Sequence, residues 1–277
     1  MKLVSSGGTI STDAFLEKKR QVRRKHLIFL LSSLFILSIL VVLISQLERF
    51  RIANVSVTGA NVVGVDAVTT FTNDVIDGYY LWFLPRDNAL IYPRGELRRA
   101  LSEEFPRFSS VNLSLSGLER LAVSVIEREP FALYCGDATS IESANCYFLD
   151  DGGFIFDFAP DFSDGVYFVY AESVPMDNPL GKQFLPAEEF KALGQFIKRL
   201  PELGINPVTI KLNQEYFDLA LSREAHLLFN RESDWTLIYS NLEIFLDSES
   251  IRAQVAFLDK VAELDLRTEN KVFYRLK

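Results

Sequence analysis

The chain reads as an α+β protein: one membrane-spanning helix, a small domain ordered β-α-α-β-β, then a mainly antiparallel β domain with packed helices. Three observations predict this. An uncharged apolar run of 19 residues extends from Leu27 to Ser45. Residues 51–129 pass from an alternating run through two helical periodicities to two further alternating runs. Beyond Pro130, alternating runs are interleaved with amphipathic stretches punctuated by Pro and Gly.

As a helix, Leu27–Ser45 reaches roughly 28 Å, about the thickness of a bilayer core. Lys18, Lys19, Arg20, Arg23, Arg24 and Lys25 precede it, whereas Glu48, Arg49 and Arg51 follow. The basic excess on the N-terminal side predicts a cytoplasmic tail over residues 1–26, a span over 27–46 and an outer body beyond. A cleaved signal peptide is the competing reading, but its apolar stretch is usually shorter, and Ser45-Gln46-Leu47-Glu48-Arg49-Phe50 offers no Ala-x-Ala pattern. A buried core helix without a polar face would be unusual in a domain of this size. Ser32, Ser33 and Ser38 give the span small polar points for packing against other anchors.

The whole chain carries a net charge of −8. The tail holds seven Lys or Arg against two Asp or Glu, a net of +5, which leaves −13 for the remainder. An acidic body is poorly matched to nucleic acid, which requires clustered Lys and Arg. The basic tail suits a stop-transfer flank and could touch anionic head groups. Ser5-Ser6-Gly7-Gly8-Thr9 reads as a flexible tip.

In the outer body, Ile52–Thr58 alternates as a strand stopped by Gly59, and Val65–Val75 reads as a short helix. The aromatic cluster Tyr79, Tyr80, Trp82, Phe83 follows, then Leu84-Pro85. Pro93 opens a helix carrying Leu97, Ala100, Leu101 and Phe105, ended by Pro106. Val111, Leu113 and Leu115 share one strand face, and Leu121, Val123 and Val125 another, with Ser116-Gly117 between. Both helices are expected on one face of this small sheet.

Further on, Cys146–Asp150 and Phe154–Phe156 flank an Asp-Gly-Gly turn, a hairpin signal. Pro186 starts a helix with Phe190, Leu193, Ile197 and Leu200 on one stripe, stopped by Pro201 and Gly204. Val208, Ile210 and Leu212 alternate, as do Phe217, Leu219 and Leu221, and His226–Phe229 completes a meander. Trp235, Ile238, Leu242 and Phe245 recur at helical spacing, as do Ile251, Val255 and Leu258. Val272, Tyr274 and Leu276 end the chain on a last short strand.

Cys135 and Cys146 are the two cysteines, each beside a tyrosine, with a polar stretch between them. Two adjacent strands stapled near a loop would look this way, and a disulfide there would contribute roughly 3 kcal/mol by loop-closure entropy. Two reduced thiols are the alternative. Without a nearby histidine the pair does not make a zinc site.

The sequence offers little chemistry. His26 flanks the span and His226 sits among apolar residues, so neither a triad nor a multi-histidine metal site is expected. No nucleophile elbow, Walker loop, dinucleotide fingerprint or zincin motif occurs, and neither cofactor nor metal is expected. Asp150, Asp151, Asp157 and Asp161 crowd one region, and two well-placed carboxyls suffice for glycoside hydrolysis. Acidic residues in a Gly-rich turn are, however, the commonest solvated loop, and the spacing is not that of an EF-hand. Glu127-Arg128-Glu129 is expected to cap a strand end, with Pro130 setting the exit direction. Asn54-Val55-Ser56 and Asn112-Leu113-Ser114 match a glycosylation acceptor but fall in expected strands.

The succession Val55-Ser56-Val57-Thr58-Gly59, Leu84-Pro85, Phe105-Pro106 and Ile126-Glu127-Arg128-Glu129-Pro130 resembles a POTRA domain. It is similar in particular to the POTRA domain that directly follows the anchor in the FtsQ/DivIB family of bacterial cell-division proteins. The run Cys146–Phe156 resembles the family's strand, acidic glycine turn and strand, and Asp265-Leu266-Arg267 resembles its closing signature. The resemblance covers nearly the whole chain, through short motifs in a shared order. The loop carrying Cys135 and Cys146 and the stretch Asp157–Gly165 depart from the family pattern.

The resemblance implies a POTRA domain over 51–129 and an FtsQ/DivIB-like β domain over 130–277. It implies a non-enzymatic septal scaffold in the cytoplasmic membrane that recruits other division proteins, with FtsB- and FtsL-type partners received by the C-terminal strand. Lys271, Val272, Phe273, Tyr274, Arg275 and Leu276 are then the contact candidates. Alternation puts Val272, Tyr274 and Leu276 on one face, with Phe273 and Arg275 expected outward. A membrane-anchored wall hydrolase using the loop carboxylates is the alternative of a different class. A POTRA-bearing chaperone or secretion accessory is another.

Overall fold

The computed structural model of the chain describes residues 12–138, 145–160, 167–222, 224–269 and 271–277. The Ser5–Thr9 tip and Asp161, with the rest of the stretch to Gly165, lie outside the described residues. Two compact units form. One holds the chain up to Thr58 with Val65–Arg98 and Asn112–Ser124; the other holds Gly59–Gly64, Arg99–Val111 and Val125–Lys277.

Helix α1, Thr12–Ser45, contains a stretch of 29 residues, Glu17–Ser45, long and apolar enough to cross a membrane, and none of it is buried against the protein. Three of its serines are satisfied locally. The hydroxyls of Ser32, Ser38 and Ser45 donate to the carbonyls of Phe29, Phe35 and Val42 at 2.9, 2.7 and 2.7 Å, so they cost little in an apolar solvent. The helix gives way to a 3-10 turn at Glu48–Phe50.

Strand β1 (Asn54–Thr58), helix α2 (Val65–Ile76), the short strands β2 (Tyr79–Tyr80) and β3 (Leu84–Pro85), helix α3 (Arg94–Glu104) and strands β4 (Phe108–Leu115) and β5 (Arg120–Glu127) follow. The three longer strands form a sheet in the order β1-β5-β4, with β1 parallel to β5. Leu97 and Leu101 of α3, Val68 and Ile76 of α2, Leu113 of β4, and Leu121 and Val123 of β5 are buried. They sit at i, i+4 or i, i+8 on the helices and at i, i+2 on the strand, as one-sided burial requires. Pro93 precedes α3, and its carbonyl accepts from Leu97 N at 2.8 Å. The β2–β3 hairpin is where the sequence shows only an aromatic cluster.

Beyond Pro130 come β6 (Ala132–Tyr134), β7 (Tyr147–Leu149), β8 (Ile155–Phe158), β9 (Val169–Glu172), α4 (Ala187–Arg199), β10 (Pro207–Leu212), β11 (Tyr216–Leu221), β12 (His226–Asn230), α5 (Trp235–Asp247), α6 (Glu249–Arg252), α7 (Phe257–Lys260), β13 (Val261–Asp265) and β14 (Phe273–Leu276). The strands make one sheet of nine, ordered β14-β13-β12-β11-β10-β9-β6-β7-β8. Its pairs are antiparallel except β12/β13, β9/β10 and β6/β9.

The main core lies on one face of this sheet. Phe190, Leu193 and Ile197 of α4 and Ile238 and Leu242 of α5 meet Ile210, Phe217, Leu219, Leu227 and Phe229. A smaller cluster of Leu133, Cys135, Cys146, Phe148, Phe156 and Val169 covers the opposite face of β6 and β9. Neighbouring residues of β6 therefore enter different cores, and all three of its residues are buried. Cys135 and Cys146, just past the paired ends of β6 and β7, are joined by a disulfide. Loop-closure entropy gives this bridge about 3 kcal/mol.

Three readings are corrected. Val208 was expected to share a face with Ile210, but a register shift between Pro207 and Thr209 turns it outward, 47% exposed, and Thr209 is buried instead. Ile251, Val255 and Leu258 do not share one helix. Ala256 adopts φ +55°, which breaks the segment into α6 and α7 and leaves Val255 82% exposed. Strands β9 and β13 leave no mark in the sequence, because β9 is short and nearly buried throughout and β13 is only half-alternating, so neither shows the period-2 signal.

Candidate functional site

β14 ends the nine-stranded sheet, so one of its edges has no strand partner among the described residues. The local sequence builds that edge in three steps. Leu266 is buried, and its amide donates to Leu228 O at 2.8 Å, extending the parallel contact of β13 with β12. Asp265 then closes a turn: Oδ1 accepts from the Arg267 amide at 2.9 Å and from Nε at 2.9 Å, while Nη2 reaches Oδ2 at 2.6 Å. The Arg267 guanidinium also lies 5.0 Å from the Tyr216 ring centre, and its carbonyl accepts from Asn230 Nδ2 at 2.8 Å. The Asp-Leu-Arg triplet is thus a turn that releases the chain from β13 and returns it antiparallel as β14.

The hydrogen bond from Arg267 holds the Asp265 carboxyl below its ordinary pKa. A depressed carboxylate pKa stabilises the fold above the unfolded value, and that contribution is lost as pH falls through the folded value. The turn is therefore intact at neutral pH and weakens in acid.

Along β14, Asp265 pairs with Phe273, Leu264 with Tyr274 and Glu263 with Arg275. Tyr274 turns toward the helices, with its ring 5.8 Å from Phe245 and 5.3 Å from Phe257, and Val272 packs on the main core. Phe273 is 54% exposed. Arg275 pairs with Glu263 at 3.2 Å across the two strands and stays open to solvent. Lys271 and Leu276 are exposed at the two ends. The six candidate residues thus lie together on one terminal edge.

A cleft of about 730 Å³ opens at the turn after β13, lined among others by Asn230, Arg231, Asp234, Arg267 and Glu269. The sequence gives no hint of it, because its walls come from the turn between β10 and β11, the end of β12, α5 and the turn after β13. Two of its charged groups already serve the fold. Arg231 grips Glu189 at 2.8 and 3.2 Å, and Asp234 caps α5 by accepting from Thr236 N at 2.8 Å and Leu237 N at 3.3 Å.

The loop carboxylates are similarly engaged. Asp150 is buried, pairs with Arg128 Nη1, and accepts from the amides of Gly152 and Phe154, each at 2.9 Å. Arg128 also stacks 4.2 Å from the Phe154 ring centre and donates from Nε to Pro106 O at 3.1 Å. Asp157 pairs with Arg107 at 2.7 Å, whose guanidinium lies 5.2 Å from the Phe156 ring centre. Asp151 is exposed in the turn. The turn is tight: Gly153 has φ +79°, and a Cβ there would lie 2.6 Å from the Phe190 ring. Glu127 accepts from the amides of Val62 and Val63 at 3.0–3.1 Å, capping a loop. His226 is exposed, with Nδ1 2.7 Å from Asp218 Oδ1. Among the described residues, no three His, Cys, Asp or Glu side chains are placed to hold a metal.

We expect Arg128→Ala to cost about 2–4 kcal/mol, because it leaves a buried carboxylate without its counter-charge. Urea denaturation of the full chain in detergent measures this; an unchanged midpoint would show that the pair is dispensable.

No family model matches the chain, and no curated protein matches it.

Proposed function

We propose that this chain is a non-enzymatic, membrane-anchored scaffold of the bacterial division septum, of the FtsQ/DivIB kind. In this reading α1 is a single-pass anchor in the cytoplasmic membrane with the basic tail inside, following the positive-inside rule. The segment from β1 to β5 is a POTRA domain, supported by the succession β1, α2, α3, β4, β5, with the short β2–β3 hairpin between the helices, and by the parallel pairing of β1 with β5. The nine-stranded body receives FtsB- and FtsL-type partners by strand addition.

The observation that carries the proposal is the unpartnered edge of β14 with Phe273 turned outward. An open edge offers a row of amides and carbonyls for affinity, and alternate side chains for selectivity. The ion pairs that hold Asp150 and Asp157 favour a structural role for these residues over a pair of hydrolytic carboxyls.

The experiment is a fluorescent fusion of the full chain in dividing cells of its own organism while the native copy is depleted. A midcell band, with filaments on depletion, is expected. Uniform envelope signal with normal division would overturn the reading and direct attention to peptidoglycan cleavage.

A further inference from the structure

The β2–β3 hairpin carries an apolar tip that neither the core nor the proposed partner edge uses. Leu81 and Trp82 form its turn and are 77% and 96% exposed. Both have positive φ, +48° and +70°, and the turn closes with Phe83 N donating to Tyr80 O at 3.2 Å. Turns of this hand favour Asn and Gly, because a Cβ meets the backbone there. Two large apolar residues at such positions, both facing solvent, are costly for folding and point to a use outside the protein.

The hairpin is tied to the end of α1. Gln46 Nε2 donates to Phe83 O at 3.2 Å, and Asn88 Nδ2 donates to Ser45 O at 2.8 Å. Asn88 is itself buried. Arg51 grips Asp87 with both Nε and Nη2, at 2.6–3.0 Å, and the backbones meet through Ile52 N to Asp87 O and Ala89 N to Phe50 O, each at 2.8 Å. Ser45 is the last residue of the uncharged run that begins at Leu27. These ties therefore hold the tip beside the level at which the helix leaves an apolar phase.

We propose that Leu81 and Trp82 insert into the head-group zone of the outer leaflet of the same bilayer that α1 crosses. The inference rests on α1 being a membrane anchor. At that depth an indole buries its rings among the upper acyl chains and keeps its N–H among polar groups, the preference behind interfacial aromatic belts. Leu90, two residues beyond Asn88, is likewise an exposed apolar side chain close in sequence to the tie. Insertion gives the anchored unit a second point of attachment, which restricts its rotation about the helix axis.

The chain has two tryptophans, and Trp235 packs among Phe196, Phe217 and Phe229, so the difference between the native chain and Trp82→Ser isolates the tip. Both full-length proteins are reconstituted in phosphatidylcholine–phosphatidylglycerol vesicles with bromines high or low on the acyl chains. The expected result is a blue-shifted Trp82 signal that loses roughly half its intensity to the shallow bromines, less to the deep ones, and is absent from Trp82→Ser. Flotation after an alkaline wash reports α1 separately. Protein that floats with Trp82 open to aqueous acrylamide overturns the insertion alone. Protein that floats with Trp82 shielded from both quenchers also overturns it, in favour of a protein cover. Protein stripped by the wash overturns the anchor and the insertion with it.

Discussion

Gly59→Ala is expected to destabilise the folded chain by roughly 3–5 kcal/mol. Gly59 closes the run Val55-Ser56-Val57-Thr58-Gly59 and has φ +90°, where an L side chain is strained. A Cβ at this position would lie 1.9 Å from Val125 O, a backbone atom of β5 one residue past its pairing with β1, which cannot swing aside as a side-chain end could. The chain must leave β1 here without a side chain, or β1 and β5 must part. Urea denaturation of the full chain in detergent should give a markedly lower midpoint for the variant. An unchanged midpoint would mean that the backbone relaxes and that the glycine is not required.

Phe273→Ala should weaken capture of FtsB- and FtsL-type partners by about 2 kcal/mol or more, some thirtyfold, while leaving the fold intact. An aromatic side chain at the centre of an added-strand interface supplies a large rigid contact area, and truncation removes it from the complex only. Tyr274→Ala is the contrasting variant. Its ring sits against Phe245 and Phe257, so its removal should lower the unfolding midpoint. Binding of the full chain in nanodiscs to a reconstituted partner complex, with denaturation run in parallel, separates the two. Equal affinity for native and Phe273→Ala would remove β14 as the docking edge.

These two neighbours show how far sequence reading reaches. Alternation along Val272, Phe273, Tyr274 and Arg275 picks out the pair that touches the core, Val272 and Tyr274, because the strand period is 2, but it does not foresee that Tyr274 stays 45% exposed against 54% for Phe273. The same rule fails at Val208, where a bulge inserts a residue and reverses the face, and at Val255, where Ala256 in a left-handed conformation ends a helix that periodicity alone would continue. Bulges and breaks of this kind carry no compositional signal when the residue involved is not glycine. The carboxylate-rich stretch from Asp150 is legible as a charged turn, but the pairing of Asp157 with Arg107 and of Asp150 with Arg128 is not, since those arginines are 50 and 22 residues away in sequence from their partners.

By itself the sequence determined the membrane-length helix and the hairpin at Asp150–Gly153, and it placed β1, α2, α3, β4 and β5 in order while showing no sign of the β2–β3 hairpin between the two helices. Each depends on contacts or solvent preferences within a few residues, which hydrophobic period, Pro and Gly encode directly. Only the tertiary structure decided the rest. The mixed parallel pairing of β9 and β13, the terminal place of β14, the cleft at the turn after β13 and the tie between Asn88 and Ser45 all join residues far apart along the chain. Such pairings depend on which surfaces remain to be covered once the local elements have formed, and no window of sequence contains that information.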